Sequence, residues 1–453
     1  MSPYGIGRAA WSELERESLA LLSSLVRIDT SNPPGNETPC AELLQRFLAD
    51  AGVRTQLVGE TPAHMNLVAR LPGTRPGPTL LLLGHTDVVL AEATEWQEAP
   101  FSGVVKNGYL WGRGALDMKN QLAAAAVAMA RLARAGAPFA GELLFAATAD
   151  EERGDHCGAR WLVAEHPDLV RCDYLINEGG GSYVRIGRRR LYTFTVGEKG
   201  YAQFRVRAKG RGGHGSVPLH KHNAVTTMAR AIVALAEHRP PVHVTDTAAA
   251  YIERLIPNRE LAALLTDGAS SRETIAAMHA AGDERAYLIE PLLGITFSPT
   301  IAHAGGEAPN VIPSHAEAII DCRTLPGHTE HEVETEVRRA LAGLDGTWDL
   351  EWVDVMAGNE SPADGPLAAA LRHVLAAMVP RADLVPTHLC GFTDSRWFRA
   401  AFPEVTAYGF CPFDAEDAVA MGGREHARDE RIAASDVPFQ ALFMERLVTE
   451  VLR

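Results

Sequence analysis

Two histidines and a set of carboxylates stand where apolar runs or glycine turns end. Leu80-Leu81-Leu82-Leu83-Gly84 runs into His85-Thr86-Asp87, and Trp111-Gly112-Arg113-Gly114 leads to Asp117. Leu143-Leu144-Phe145-Ala146-Ala147-Thr148 precedes Asp150-Glu151-Glu152, and Tyr174-Leu175-Ile176 ends at Asn177-Glu178. His426 follows much later, in Arg424-Glu425-His426-Ala427-Arg428-Asp429-Glu430. Neutral imidazole and carboxylate bind zinc at about 2.0–2.2 Å. Two imidazoles and three carboxylates suffice for two divalent cations, and one more carboxylate can move a proton. With one histidine per ion, the site keeps positive charge that polarises a carbonyl and acidifies water. Asp117 is the expected bridge, because a short aspartate on a glycine-preceded turn holds both oxygens tightly. Asp87 can reach back to the His85 imidazole and set its tautomer. Neighbouring side chains of an extended segment point apart. One of the pair can therefore bind metal while the other faces the bound water; Glu152 is assigned to metal and Glu151 to proton transfer.

Each string alone has a bland reading. His-x-Asp after an apolar run is ordinarily a strand end, an acidic triplet a solvated turn, and Asn-Glu says almost nothing. Their occurrence together, each in a strand-end or glycine-turn context, is what points to a metal site.

The elements that must position these groups alternate. Helical spacing covers 11–27, 39–51 and 120–135, with Thr38 as a candidate cap for the second helix. Strand-like runs cover 66–71, 79–83, 142–148 and 174–176. This predicts an α/β fold with a mainly parallel sheet, whose ligands gather beyond the carboxyl ends of the strands. Near Tyr192 the texture changes to strands over 192–196, 203–208, 316–321 and 348–355, and helices over 223–237 and 330–344. That pattern reads as an inserted α+β domain over 195–358, splitting a catalytic domain into 1–194 and 359–453. Ala- and Leu-rich residues 245–293 read as helical hairpins decorating the insert.

The 453 residues carry a net charge of −14, which argues against a nucleic-acid partner. Arg188-Arg189-Arg190, the one basic cluster, reads as a solvated turn. Six scattered cysteines form no CxxC pair, and reduced thiols in the cytoplasm account for them. No run has signal-peptide or membrane-span character, so no membrane partner is expected.

At these residues the chain resembles the M20 metallopeptidase family of carboxypeptidases, aminoacylases, deacetylases and desuccinylases, over nearly its whole length. The supporting strings are Gly84-His85-Thr86-Asp87-Val88-Val89, the run from Gly112 to Lys119, Ala149-Asp150-Glu151-Glu152 and Asn177-Glu178-Gly179-Gly180. Gly213-His214-Gly215-Ser216-Val217-Pro218, Asn310-Val311-Ile312-Pro313 and Asp321-Cys322-Arg323 add to them. The resemblance implies two Zn²⁺ per subunit, with Co²⁺ or Mn²⁺ also acceptable. His85, Asp117 and Glu178 would hold one ion, and Asp117, Glu152 and His426 the other. It implies Glu151 as acid/base, Asp87 as partner of His85, and His214 as a donor to the oxyanion, usually in the neighbouring subunit of a homodimer built through the inserted domain. Asn310, Arg323 and Thr393 would meet the substrate, with Asn310 and Arg323 on its carboxylate. The family's Gly-Gly-Thr-Asp loop is here Gly391-Phe392-Thr393-Asp394, and Phe392 either shapes the pocket or packs in the core. The large insert, like Asn177-Glu178-Gly179-Gly180, resembles the carboxypeptidase S and N-acyl amino acid hydrolase branch, which implies a hydrophobic N-acyl amino acid or dipeptide substrate.

The expected activity is hydrolysis of an amide beside a free carboxylate, in an N-acyl amino acid or dipeptide. Deacetylation or desuccinylation of a biosynthetic N-acyl amino acid is the alternative. A non-catalytic binding protein would have lost ligands or base, and none is missing. A Ser216–His214 nucleophile pair lacks the strand–elbow–helix context of serine hydrolases.

Overall fold

The computed structural model describes residues 4–136, 139–154, 156–218, 222–305, 308–344 and 347–453. The chain forms two compact units. One comprises Met1–Val196, Ser361–Thr387 and Thr393–Arg453, the other Gly197–Glu360 and His388–Phe392. The break between them falls after Val196, within the strand Arg189–Glu198. Residues 388–392 group with the second unit, where the Lys199 N–H donates to the Leu389 carbonyl at 2.9 Å and His388 pairs with Glu360 at 2.7 Å.

The first unit is built on one sheet, in the order Arg54–Val58, Asn66–Pro72, Ala140–Thr148, Arg75–His85, Tyr174–Asn177, Thr406–Gly409, Arg189–Glu198. Ala140–Thr148, Arg75–His85, Tyr174–Asn177 and Thr406–Gly409 run parallel, and antiparallel strands flank them. A parallel sheet is covered on both faces, so its strands read as unbroken apolar runs rather than alternations. Leu80 and Leu82 accordingly join the core under helices such as Lys119–Ala135 and Asp436–Val451, while Leu81 and Leu83 face Ala159–Glu165 and Ser395–Ala401. Gly84 lets the chain around Met118 come close: a Cβ there would stand 2.7 Å from Met118 Cε and 3.0 Å from Leu122 Cδ2. In register, His85 lies opposite Thr148 and Leu82 opposite Ile176, so three strand ends lie side by side.

Two local expectations are corrected. Thr38 is the first residue of the helix Thr38–Asp50 rather than its cap, and its hydroxyl donates to the Pro62 carbonyl at 2.7 Å. Of the arginine cluster, Arg189 and Arg190 belong to a strand, and they pair with Asp383 and Asp414.

The second unit holds a four-stranded antiparallel sheet ordered Thr296–Ala304, His315–Thr324, Gly200–Lys209, Thr347–Met356. Helices Ala224–Glu237 and Glu330–Ala340 cover one face. Asn223 caps the first, and a Thr329/Glu332 capping box starts the second. Along Gly200–Lys209, Ala202, Phe204, Val206 and Ala208 are buried under the helices, while Tyr201, Gln203, Arg205 and Arg207 alternate onto the other face. The insert contains the helices Asp246–Leu255, Arg259–Thr266, Ser271–Ala280 and Arg285–Ile289. Lys199 fastens its end, with Nζ donating to the carbonyls of Pro291 and Gly294 at 2.8 and 2.9 Å. Burial pulls that ammonium down to about 8. All six cysteines are free, and among the described residues no helix is long and apolar enough to cross a membrane.

Candidate active site

Six of the expected residues meet beyond the parallel strands of the first unit. His85 ends its strand, the acidic pair follows Ala140–Thr148, and Glu178 follows Tyr174–Asn177. Asp117 lies just before the helix Lys119–Ala135, and His426 comes from a tight loop with φ of 59°. Asp117 stands between the two imidazoles. Its Oδ1 is 3.2 Å from His85 Nε2, and its Oδ2 is 2.8 Å from His426 Nε2. Glu178 Oε2 lies 3.7 Å from His85 Nε2, and Glu152 Oε1 lies 3.2 Å from His426 Nε2. The sets His85/Asp117/Glu152 and His85/Glu151/Glu178 each bring their ligand atoms within 4.8 Å of one another.

This crowding shows in the proton affinities. Burial pushes the Glu178 carboxyl up to about 8 and holds Glu151 well above the usual range. Burial works to lower His85, but the carboxylates of Glu178, Asp117 and Asp87 prevail and hold it well above an ordinary histidine. Hydrogen bonds to Asp117 and Glu152 push His426 up to about 10. Desolvation works to raise Asp117, yet the two imidazoles hold it well below the carboxylate range. Glu152 Oε1 has the His426 imidazole at 3.2 Å as its neighbour. Acids packed this closely need protons or cations between them. A set of imidazole nitrogens and carboxylate oxygens within 4.8 Å of one another fits divalent ions of the zinc, cobalt and manganese kind.

The scaffold behind the cluster differs from expectation at two points. His85 Nδ1 lies 3.0 Å from the Asp87 main-chain oxygen and 3.4 Å from its carboxylate. That carboxylate also accepts the N–H groups of Glu151 and Glu152, each at 3.1 Å. Asp87 therefore holds the acidic pair as well as the imidazole. Nor is that pair extended: Asp150 has φ of 57° and 151–154 form a turn, so strand alternation does not set their directions. The turn carries Glu152 towards His426 and Glu151 towards His85 and Glu178.

Sequence reasoning missed three supports. Asn32 Nδ2 donates to Asp87 at 3.0 Å and Asp150 at 2.8 Å, joining two buried carboxylates. Glu430 accepts from the N–H groups of Leu116 (2.7 Å) and Asp117 (3.2 Å) and pairs with Arg113 at 2.7 Å. Arg113 also donates to the His426 carbonyl at 3.3 Å, so this buried pair ties both sides of the centre together. Asp394 accepts the Thr148 hydroxyl at 2.7 Å. Arg113, Glu430 and Asp394 stand inside strings the sequence already singled out; nothing local to Asn32 advertises its role.

Thr393 is buried and accepts the Ser395 N–H at 3.2 Å. The other expected substrate residues belong to the second unit. His214 and Asn310 lie exposed at a short ribbon pairing Gly213–His214 with Val311–Ile312. His214 Nδ1 is 2.7 Å from Ser216 Oγ, and the Gly215 N–H donates to the Asn310 carbonyl at 2.7 Å. Arg323 sits on the sheet, with Nε donating to Asp321 at 3.0 Å.

This is the site of a metal-dependent hydrolase. The profile of "Peptidase family M20/M25/M40" matches residues 81–450, and the chain belongs to that family. It is accordingly an enzyme that hydrolyses C–N amide bonds. It is 28% identical to a succinyl-diaminopimelate desuccinylase of Methylorubrum populi, over 93% of this chain and 95% of that one. It is 26% identical to aminoacylase-1 of Sus scrofa, over 93% and 91%. Among solved structures it resembles an M20 family metallo-carboxypeptidase from Sulfolobus solfataricus, with a TM-score of 0.71, 19% identity and coverage of 96% and 99%.

Proposed function

We propose that this enzyme is a two-metal hydrolase of N-acyl amino acids or dipeptides that carry a free carboxylate. The observation that supports it best is Asp117, which turns one carboxylate oxygen to each histidine, at 3.2 and 2.8 Å. His85, Asp117 and Glu178 would hold one ion, Asp117, Glu152 and His426 the other, with zinc the leading candidate and cobalt or manganese acceptable. When bound, such a pair supplies Lewis acidity that polarises the amide carbonyl and lowers the pKa of water. Glu151 takes the water proton and returns it to the leaving nitrogen, a task suited to a carboxyl whose proton affinity burial has raised. Asp87 orients the His85 imidazole and, with Asn32, fixes the turn that presents Glu151. Arg323 and Asn310 bind the substrate carboxylate, a task suited to a guanidinium fork. Thr393 borders the substrate, and His214 donates to the oxygen that gains charge, as part of a homodimer built through the second unit. The six free thiols suit a reducing cytoplasm.

The relatives named desuccinylase favour one narrower reading, in which the acyl group is succinyl. A single experiment tests both. Metal is counted per chain, and hydrolysis is followed on N-acetyl, N-succinyl and long-chain N-acyl amino acids and on dipeptides, with and without chelator. The expected result is about two ions per chain and chelator-sensitive cleavage of carboxylate-bearing substrates. Cleavage that survives removal of all metal overturns the two-metal reading. Selective cleavage of N-succinyl substrates establishes the narrower one.

A further inference from the structure

On the open face of the second unit's sheet, Tyr201 and Arg323 are direct cross-strand partners. The Arg323 guanidinium carbon lies 5.9 Å from the centre of the Tyr201 ring. On the same ring, Phe392 packs at 6.2 Å between centroids and 54° between planes. Both rings are half-buried, so Phe392 is not a core residue. Asp321 occupies Arg323 Nε and is itself steadied by Gln203 at 3.2 Å, while Arg323 Nη1 is buried with no hydrogen-bond partner. An unsatisfied buried guanidinium nitrogen favours an incoming anion. Further along this face the neighbouring positions carry paired charges: Arg205 and Arg207 with Glu317 and Glu351, and Lys209 with Asp349. The aromatic pair beside Arg323 breaks that pattern.

We propose that Tyr201 and Phe392 form a side-chain subsite next to Arg323, selecting amino acids whose side chain is aromatic or branched apolar. This rests on the reading that Arg323 binds the substrate carboxylate. The α-carbon bears carboxylate and side chain together, so a carboxylate held by Arg323 places the side chain against the neighbouring rings. Two aromatic faces reward apolar area. An ammonium side chain is disfavoured there, because the Arg323 guanidinium already lies against the Tyr201 ring. The subsite therefore separates this enzyme from relatives named for diaminopimelate, whose side chain ends in an ammonium and a carboxylate.

The test compares kcat/KM for N-acetylphenylalanine, N-acetylleucine, N-acetylalanine and N-acetyllysine in the metal-loaded enzyme, in Phe392→Gly, Phe392→Leu and Tyr201→Ala, and in Arg323→Lys. The wild type should favour phenylalanine over lysine by at least about tenfold, since even one methylene in an apolar pocket is worth about 10–200-fold. Phe392→Gly should lower the phenylalanine-to-alanine ratio about tenfold, mainly through KM, and Phe392→Leu should restore much of it. Arg323→Lys should weaken all four substrates together and leave their ratios in place. Thermal melts of each variant report folding, and Tyr201→Ala supplies a second measurement if Phe392→Gly is unstable. Unchanged ratios in folded Phe392 and Tyr201 variants overturn the subsite alone. Absence of hydrolysis of every N-acyl amino acid by the metal-loaded wild type overturns the underlying functional reading, and the subsite with it.

Discussion

The two units handle polar side chains in opposite ways. In the first, polar groups converge at the ends of buried parallel strands, and the backbone grips them: Asp87 takes two N–H groups and Glu430 another two. In the second, His214 and Asn310 lie exposed at a short ribbon, and most of the open sheet face is neutralised by ion pairs. Chemistry that must hold several charges close needs the rigid, water-poor setting.

The contrast can be broken by mutation. The largest effect is expected from Glu151→Gln, which should cut turnover by about 10²–10⁴-fold while metal content stays near two per chain. Rate assays with elemental analysis check this, and near-wild-type turnover would refute the proton-transfer role. Asn32→Ala and Glu430→Gln touch no substrate in this account. They should still cost about 10–100-fold in metal affinity or turnover, as loss of a ligand's supporting hydrogen bonds does. Titration with a competing chelator measures that, and wild-type affinity together with wild-type rate would show the grip to be dispensable.

Proton linkage sharpens the comparison. Glu178 is raised to about 8, His426 to about 10, and His85 lies well above its usual range, so at pH 7 the ion-free first unit holds protons on groups that the proposed ions would have to displace. Metal uptake should therefore release protons, and affinity should tighten as pH rises from 7 towards 8. Calorimetry in buffers of different ionisation enthalpy reads the number, and zero release would contradict the sign. The smallest effect belongs to the second unit: His214→Ala should shift folding stability by no more than about 0.5 kcal/mol, because the residue is exposed. Chemical denaturation of the metal-free protein checks it.

Much of the centre was legible because parallel strands announce themselves as apolar runs and their ends collect ligands. His85, Glu152 and Glu178 each follow such a run, and Asp117 follows a glycine turn. What the sequence hid was long-range geometry. Asn32 reaches Asp150 from 118 positions away, and no local pattern encodes that hydrogen bond. The directions of Glu151 and Glu152 were inferred from strand alternation, but a left-handed Asp150 sets them through a turn. The inserted unit was legible from a change of texture, whereas residues 388–392 rejoin it through tertiary contacts that no window of sequence displays.

The pin between Arg113 and Glu430 spans 317 positions. A ribosome releases the acids at 117, 151, 152 and 178 long before it makes the imidazole at 426 or the carboxylate that braces Asp117. The unfinished protein thus carries crowded negative charge with a single histidine among it, and the closing stretch delivers the second imidazole together with the clamp that seats it. Assembly of the two-imidazole cluster is in this way tied to synthesis through Glu430, and a chain ended before it lacks both the second imidazole and the clamp.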